Sequence, residues 1–342
     1  MLKLRLKFFF LGFSCFIFQT IADANDGFGS LGVGGIILGK TDKIAMVSEQ
    51  LDIGCSVIHV SYDFLNESDD DVKTPVIFPL PPYPANPAES GVVAHGQPAG
   101  FTVLSDGKAI KYDTKVRAIL KGADITNKLK KIGFSVKQIA LFPFDESLLS
   151  SHELKVPKTQ ADALKHAGLL NEYGSPAWEI EVSYVWNQTF PARQHVHVEH
   201  SYRPFVAGGT ASGYTNAYGR KVGDLPIENF CPSPKQISQL NKLFSEQSNL
   251  DNYRQITGSI IEYVLMTANT WKDGIRDFTM RIHTDSPNEV VALCFPFPLT
   301  KKRNNIYEVH LNNFRPTRDL RIYIGNQKTF PESSYGESPT FQ

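Results

Sequence analysis

Polar and apolar residues alternate over several short stretches of this chain. In the stretch "CSVIHVSYDFLNES", every second residue is apolar, and these residues are Ile58, Val60, Tyr62 and Phe64. The stretch "WEIEVSYVWNQTF" repeats the pattern from Trp178 to Trp186. Period-two alternation is typical of a strand with one buried face. It predicts further strands at "SIIEYVLMT", "DFTMRIHT", "EVVALCF", "IYEVHL" and "DLRIYIG".

The strand predicted at "HVHVEHSY" follows the one at "WEIEVSYVWNQTF" after only four residues, "PARQ". Two strands joined by so short a connection commonly pair as a hairpin. We therefore expect these two strands to be neighbours in one sheet.

The middle of the chain changes character and predicts helices. Asp124 can cap the segment "ITNKLKKIG", which ends at Gly133, and Pro157 precedes a second helical segment, "TQADALKHAGLL". A third helix is predicted after Ser233, because Ser233 and Gln236 have the spacing of a capping box and Pro234 suits the first helical position.

Many short strands with few helices predict a mainly β protein, built from β-sandwich-like lobes with short helical insertions as a minor α+β component. The predicted divisions are a signal peptide (1–24), an N-terminal β-rich lobe (25–120), a helical insertion (121–175), a C-terminal β-rich lobe with one helix (176–325) and a disordered tail (326–342).

Residues 1–24 have the composition of a secretory signal. Lys3, Arg5 and Lys7 precede an apolar core from Phe8 to Phe18, which is too short to span a bilayer of about 30 Å as a helix. Small residues at positions 22 and 24 predict cleavage between Ala24 and Asn25. The alternative is a single N-terminal membrane anchor. The rest of the sequence predicts no transmembrane segment after cleavage.

The segment "GGIILGKT" at residues 34–41 matches the phosphate-loop pattern G-x-x-x-x-G-K-[ST]. A phosphate loop needs a buried strand before it and a helix after it. Signal cleavage leaves only "NDGFGSLGV" in front, and the alternating segment "DKIAMVSEQLDI" behind predicts a strand. The match is therefore interpreted as accidental, and no nucleotide site is predicted.

Removal of the signal from 342 residues leaves 318, with 32 basic and 34 acidic residues, so the net charge of the mature chain is about −2. This balance predicts no basic face for nucleic acid or for an anionic membrane.

Three cysteines remain in the mature chain: Cys55, Cys231 and Cys294. In an oxidising compartment two of three are expected to pair. Cys231 and Cys294 are the preferred pair, because one directly precedes a predicted helix and the other ends a predicted strand. This bond would close a loop of 63 positions and would stabilise the fold by up to about 4 kcal/mol. Three free thiols remain the alternative.

The segment "HVHVEH" contains the best metal candidates. On a strand, His195 and His197 would project from one face about 7 Å apart, within reach of a single zinc ion. A zinc enzyme would need a third ligand, and His283 and His310 are the available donors on later strands. The alternative is an ordinary polar face, in which case no metal binds.

Two other groups of residues are weaker candidates. Ser61, near His59 and Asp63, supplies the residue types of a triad, but side chains on one strand do not reproduce triad geometry. Trp271 could anchor a partner at a loop tip, or it could close the end of the sandwich. The second interpretation is preferred.

Several longer phrases resemble the bacterial exported proteins grouped as domain of unknown function 4424. They are "SVIHVSYDFLNESDDDVKTPVIFPLP", "WNQTFPARQHVHVEHSYRP", "LMTANTWKDGIRDFTMRIHTDSP" and "NNFRPTRDLRIYI". The resemblance covers roughly residues 25–325. It implies an envelope or secreted location, cysteines at Cys231 and Cys294, and a counterpart of His200, but it implies no reaction.

The sequence therefore predicts an exported protein, periplasmic or secreted, that acts by binding or assembly and not by catalysis. Its partner would be another envelope protein or a glycan, with no cofactor and no nucleic acid. The alternative is a metal-dependent hydrolase that uses the strand of His195 and His197.

Overall fold

A computed structural model describes most of the chain. The described residues are 27–32, 35–85, 92–93, 99–141, 156–172, 174–211, 214–215, 221–222, 227–245, 256–303 and 305–325. The predicted signal segment, with Ala24 and Asn25, and the predicted tail at 326–342 lie outside them. Among the described residues, no helix is long and apolar enough to cross a membrane.

The fold is mainly β with short helices, as the sequence predicts. In chain order the strands are β1 (Gly27–Gly32), β2 (Gly35–Leu38), β3 (Ile44–Ile53), β4 (Ile58–Asn66), β5 (Val72–Pro79), β6 (Tyr83–Pro84), β7 (Val92–Val93), β8 (Ala99–Ser105), β9 (Lys108–Ala109), β10 (Asp113–Leu120), β11 (Ala123–Asp124), β12 (Glu179–Phe190), β13 (His195–Arg203), β14 (Val206–Ala211), β15 (Tyr214–Thr215), β16 (Lys221–Val222), β17 (Ile256–Tyr263), β18 (Lys272–His283), β19 (Val290–Leu293), β20 (Thr300–Lys301), β21 (Ile306–Phe314) and β22 (Leu320–Gly325). The α-helices are α1 (Thr126–Ile132), α2 (Val136–Leu141), α3 (Lys158–His166) and α4 (Pro234–Ser245), and 3₁₀ turns span Ile227–Phe230 and Met266–Thr270.

Three larger sheets organise these strands. The eight-stranded sheet has the order β20-β21-β18-β3-β4-β13-β8-β9, the seven-stranded sheet has β11-β10-β12-β5-β1-β2 with β6 beside β12, and the five-stranded sheet has β19-β22-β17-β14-β7. Strands β3 and β18 run parallel, whereas β3–β4 and β18–β21 are antiparallel. The eight-stranded sheet thus combines strands from both predicted lobes, and the lobe boundaries stay a prediction from the sequence.

The helix signals in the sequence correspond to observed contacts. The amide of Thr126 donates to the Asp124 side chain at 2.8 Å, and α1 ends where Gly133 adopts a φ of 108°. At α4, the Gln236 amide donates to Ser233 Oγ at 3.3 Å, and the Ser233 amide donates to Gln236 Oε1 at 2.6 Å. The predicted capping box is confirmed.

The predicted hairpin of β12 and β13 is wrong. β12 pairs with β10, β5 and β6 in the seven-stranded sheet, whereas β13 pairs with β4 and β8 in the eight-stranded sheet. The short connection at 191–194 carries the chain from one sheet to the other. Both strands bury one apolar face against the same core, so their alternation could not reveal that they pair with different neighbours.

The phosphate-loop match at residues 34–41 lies in β structure. Residues 35–38 form β2, the Gly39 amide donates to the Phe28 carbonyl at 2.8 Å, and the Thr41 amide donates to the Thr270 carbonyl at 2.9 Å. The next element is strand β3, and Gly34 lies outside the described residues. The backbone amides of Gly39 and Thr41 thus donate hydrogen bonds to backbone carbonyls within the fold.

One large core joins the three larger sheets. Its buried members include Val182 of β12, Val198 of β13 and Ile261 of β17. A smaller cluster on the other face of the five-stranded sheet contains Leu240 of α4 and Tyr323 of β22. The helix α4 therefore covers the outer side of that sheet.

A disulfide fixes α4 to the sheet it covers. Cys231, ahead of the helix, is bonded to Cys294, directly after the edge strand β19, with their Cα atoms 5.0 Å apart. Gln236 adds a second link, because its Nε2 donates to the Val291 carbonyl of β19 at 2.6 Å. The predicted pairing is confirmed, and Cys55 is partly buried and lies outside the disulfide.

Candidate functional site

The outer face of the eight-stranded sheet carries an ordered array of polar side chains. Alternation along each strand sends one set of residues into the core and the other outward. Register pairing aligns the outward residues of β13, β4, β3, β18 and β21 in three rows of five. These fifteen residues, here called the polar face, are Ser201, His59, Asp52, Arg281 and Glu308 in the first row, Glu199, Ser61, Gln50, Thr279 and His310 in the second, and His197, Asp63, Ser48, Asp277 and Asn312 in the third.

None of the fifteen side chains belongs to a buried residue, although the residues that alternate with them include fully buried ones such as Val60, Leu51 and Met280. Strand geometry places the columns about 4.8 Å apart and the rows about 7 Å apart. The polar face is therefore a broad, solvated surface on a rigid core.

Histidine–carboxylate pairs recur on this face and at its rim. His195 Nδ1 lies 2.9 Å from Asp63 Oδ2, and His197 Nε2 lies 2.8 Å from Glu199 Oε1. His283 Nε2 lies 2.6 Å from Asp52 Oδ1, and His310 Nε2 lies 3.0 Å from Asp277 Oδ1. All of these pairs connect neighbouring strands except His197–Glu199, which lies within β13.

The carboxylates of the face fall into two groups. Asp52 and Glu308 contact permanent cations: Arg281 reaches both, and Lys302 lies 3.3 Å from Glu308. Hydrogen bonds from Arg281, and then from Lys302, lower the pKa of Glu308 below its ordinary value.

The carboxylates of the second group are paired with histidine side chains. Among the residues that the structure describes, Asp63, Glu199 and Asp277 form ion pairs only with histidine side chains. We call these three residues the histidine-paired carboxylates. Their charge is balanced only when the imidazoles are protonated.

A family model described as domain of unknown function 4424 matches residues 24–323. The chain belongs to this family. A search of curated proteins finds no match. A solved structure from Legionella pneumophila subsp. pneumophila str. Philadelphia 1, provisionally described as a nutrient binding protein, is similar at 15% identity and a TM-score of 0.41, covering 89% of this chain and 72% of its own.

The structure separates the histidines that the sequence grouped as metal donors in this family member. His195 and His197 share a strand and each contacts a carboxylate, but β4 and β3 lie between them and His283 on β18, a distance of three strand spacings or about 14 Å. His310 is one strand further away. Within the described part of the chain, no group of three or more His, Cys, Asp or Glu residues has a geometry that could hold a metal ion.

The structure does bring together the residue types of a catalytic triad, although not in its geometry. Ser61 Oγ lies 3.4 Å from His197 Nε2, and Glu199 Oε1 contacts the same nitrogen at 2.8 Å. In a triad the hydroxyl and the carboxylate contact opposite ring nitrogens, so that one accepts a proton while the other is held. Here both oxygens contact the same nitrogen, Nε2. Because Glu199 does not hold the opposite nitrogen, the arrangement does not activate Ser61.

Two residues singled out from the sequence are part of the core. His200 is 1% exposed and packs among the rings of Phe78, Phe101 and Trp186 at centroid distances of 5.0–5.4 Å. Trp271 is 2% exposed and lies 4.7 Å from the ring of Phe64. The preferred interpretation of Trp271 as a buried closing residue is therefore correct.

No short sequence signal indicates that Asp52, Asp277 and Glu308 belong to the same face as the histidine strand β13. Alternation placed each residue on an outward side of its own strand. It carried no signal for the parallel pairing of β3 with β18, which connects the two halves of the polar face.

Proposed function

We propose that this chain is an exported protein of the bacterial envelope that acts by binding another component, through the polar face, and not by catalysis. Its place would be the periplasm or the medium. Its partner would be another envelope protein or a glycan.

Two features support export. The first is the signal pattern of residues 1–24, with Asn25 as the expected first residue after cleavage. The second is the Cys231–Cys294 bond, because disulfides persist mainly in oxidising compartments outside the cytosol. Mass analysis of protein recovered from the periplasm should find a chain that begins at Asn25. An intact Met1 on cytoplasmic material would contradict this.

The observation that carries binding is the layout of the polar face. Catalytic groups must converge on one reacting atom, usually in a concave site that excludes water. The groups on the polar face instead spread over five adjacent strands. The four histidines His195, His197, His283 and His310 are already engaged with carboxylates. A broad surface of fixed donors and acceptors suits recognition of an extended partner.

Affinity capture from envelope extracts tests this proposal. The bait is the full chain in three forms: wild type, Asp63→Asn/Asp277→Asn on the polar face, and Asp113→Asn/Asp162→Asn as a control that removes the same charge elsewhere. We expect a partner that binds wild type and control but is lost from the face variant. A partner that binds all three equally would place recognition elsewhere and overturn the role of the face.

The hydrolase alternative has its own test. Hydrolysis of ester, phosphate ester and glycoside substrates should not rise above background when zinc is supplied. A turnover that disappears in His197→Ala would establish the alternative and overturn the proposal of a non-enzymatic protein.

A further inference from the structure

The charge of the polar face depends on whether its histidines are protonated, because four of them or of their rim neighbours lie beside carboxylates. Imidazole is the side chain that ordinarily changes charge between about pH 5 and 8. Beside neutral rings, the histidine-paired carboxylates Asp63, Glu199 and Asp277 carry three negative charges that no cation balances among the described residues. Beside protonated rings, each of the three is paired with an imidazolium cation.

All charged and titratable groups of this surface and its rim enter the comparison. They are Arg203, His195, His197 and Glu199 on β13, His59 and Asp63 on β4, Glu67 after β4, Asp52 on β3, Lys272, Arg276, Asp277, Arg281 and His283 on β18, Glu308 and His310 on β21, Lys302 after β20, and Asp106 after β8. Lys272 and Arg276 both contact Glu67. With neutral histidines the seven acids outnumber the five bases. With protonated histidines the balance reverses.

We propose that the polar face is a pH-gated docking surface for a cationic polypeptide segment, which binds when the histidines are neutral and is released when they are protonated. This inference rests on the proposed function, and it names the chemistry of the partner and the regulation of the same site.

Charge complementarity identifies the occupant. The permanent cations Arg281 and Lys302 already contact Asp52 and Glu308, so the first row offers little free charge. The histidine-paired carboxylates offer charge without a permanent cation among the described residues. An incoming lysine or arginine can supply that cation only while the neighbouring histidine is neutral, since a protonated histidine would occupy the same carboxylate and repel it.

The spacing also suits a peptide chain. Glu199 and Asp63 are diagonal neighbours on β13 and β4, a separation of about 7–8 Å. Alternate side chains of an extended peptide repeat at about 7 Å, so two basic residues on one side of such a segment can reach both carboxylates. Asp277 lies two strands beyond Asp63, at about 10 Å, where a longer lysine or arginine side chain can follow.

A defined peptide provides the experiment. The purified full chain is titrated with fluorescent oligolysine, whose charge is the same at both conditions, at low ionic strength and at about pH 7.5 and about pH 5.5. We expect binding at the higher pH and about five-fold weaker binding at the lower pH, since the loss of one exposed ion pair worth about 1 kcal/mol corresponds to this factor. Oligoglutamate of equal length should not bind at the higher pH.

Three variants locate the effect. Asp63→Asn/Asp277→Asn should weaken oligolysine binding at the higher pH to the level seen at the lower pH. His195→Gln/His310→Gln keeps the carboxylates and removes two titrating groups, so it should retain binding and flatten its pH response. The control Asp113→Asn/Asp162→Asn should behave as wild type, and melting curves establish that all variants are folded.

The outcomes separate this inference from the proposed function. Equal oligolysine affinity at both pH values, or equal affinity of the face variant and the control, would overturn the pH-gated surface. If the captured envelope partner still required Asp63 and Asp277 in that case, binding through the face would stand. A neutral glycan bound by the face with no pH dependence would likewise overturn the cationic occupant and retain the proposed function.

Discussion

Tyr62 and Tyr263 meet through their hydroxyl groups in the protein interior, with the two oxygens 3.1 Å apart and a sequence separation of 201 positions. Tyr62 belongs to β4 of the eight-stranded sheet and Tyr263 to β17 of the five-stranded sheet, and both side chains are fully buried. The contact therefore links the sheet that carries the polar face to the sheet that carries the disulfide.

Removal of this contact should reveal its coupling energy. Tyr62→Phe and Tyr263→Phe should each lower the free energy of unfolding by about 0.5–2 kcal/mol. The double variant should lose less than the sum, with a coupling of about 1 kcal/mol in urea unfolding. The control combines Tyr62→Phe with Tyr83→Phe, because the Tyr83 hydroxyl donates to the Ala140 carbonyl and not to Tyr62. The losses of unfolding free energy in these two variants should be additive. Additivity for Tyr62 and Tyr263 would show that the hydroxyl contact contributes nothing.

The Cys231–Cys294 bond should contribute measurably to stability, because it closes a loop of 63 positions and holds α4 on its sheet. Replacement of either cysteine with serine should lower the free energy of unfolding by about 2–4 kcal/mol. Cys55→Ser is the matched control and should leave the bond intact. Peptide mapping without reductant checks the pairing, and a linkage that includes Cys55 or three alkylatable thiols in exported protein would contradict it.

His195 and His197 should have little effect on stability and should not bind zinc. Their side chains are 57% and 44% exposed, so His195→Ala/His197→Ala should unfold within about 1 kcal/mol of wild type. Elemental analysis of purified protein should find no stoichiometric zinc. One tightly bound zinc ion, lost in the double variant, would require a ligand set that includes these two histidines.

Glu67 should make stability depend on pH in the acid range. Hydrogen bonds from Lys272 at 2.6 Å and Arg276 at 2.7 Å lower the pKa of this carboxyl below its ordinary value. A lowered folded-state pKa gives stability that is present above the unfolded pKa of about 4.3 and is lost as the pH falls through the folded value. Glu67→Gln should therefore cost about 1 kcal/mol at neutral pH.

The difference between wild type and Glu67→Gln should shrink as urea unfolding is repeated at decreasing pH below about 4. Asp113→Asn removes an exposed carboxylate beside Lys115 and is the control, with no expected effect at either pH. A difference between wild type and Glu67→Gln that is constant with pH would mean that the ion pairs are not its source.

The local elements of this fold could be predicted from short sequence signals because their stabilising contacts are local. Ser233 and Gln236 cap each other within one turn of α4, and Gly133 ends α1 through its own backbone conformation. Alternation likewise identified β4 and β13 as strands with one buried face. The disulfide could be inferred because the predicted cleavage leaves three cysteines, of which Cys231 precedes a predicted helix and Cys294 ends a predicted strand.

The pairing of β12 and β13 could not be predicted in the same way. Each strand would bury its apolar face equally well if the two strands paired as a hairpin or if the chain crossed from one sheet to the other. The short connection at 191–194 is compatible with both arrangements. The contacts that decide between them involve β4, β5 and β10, which lie far away in sequence.

The sequence by itself thus determined that segments such as β4, β13 and β18 are strands, which of their residues point outward, and where α1 and α4 begin, since these depend on neighbours within a few residues. Only the tertiary structure decided that Asp63 and Asp277 lie on one face, two strands apart, each beside a histidine. The physical reason is that strand order and register are set by burial of the whole core, including the parallel contact of β3 with β18. No single segment contains that information.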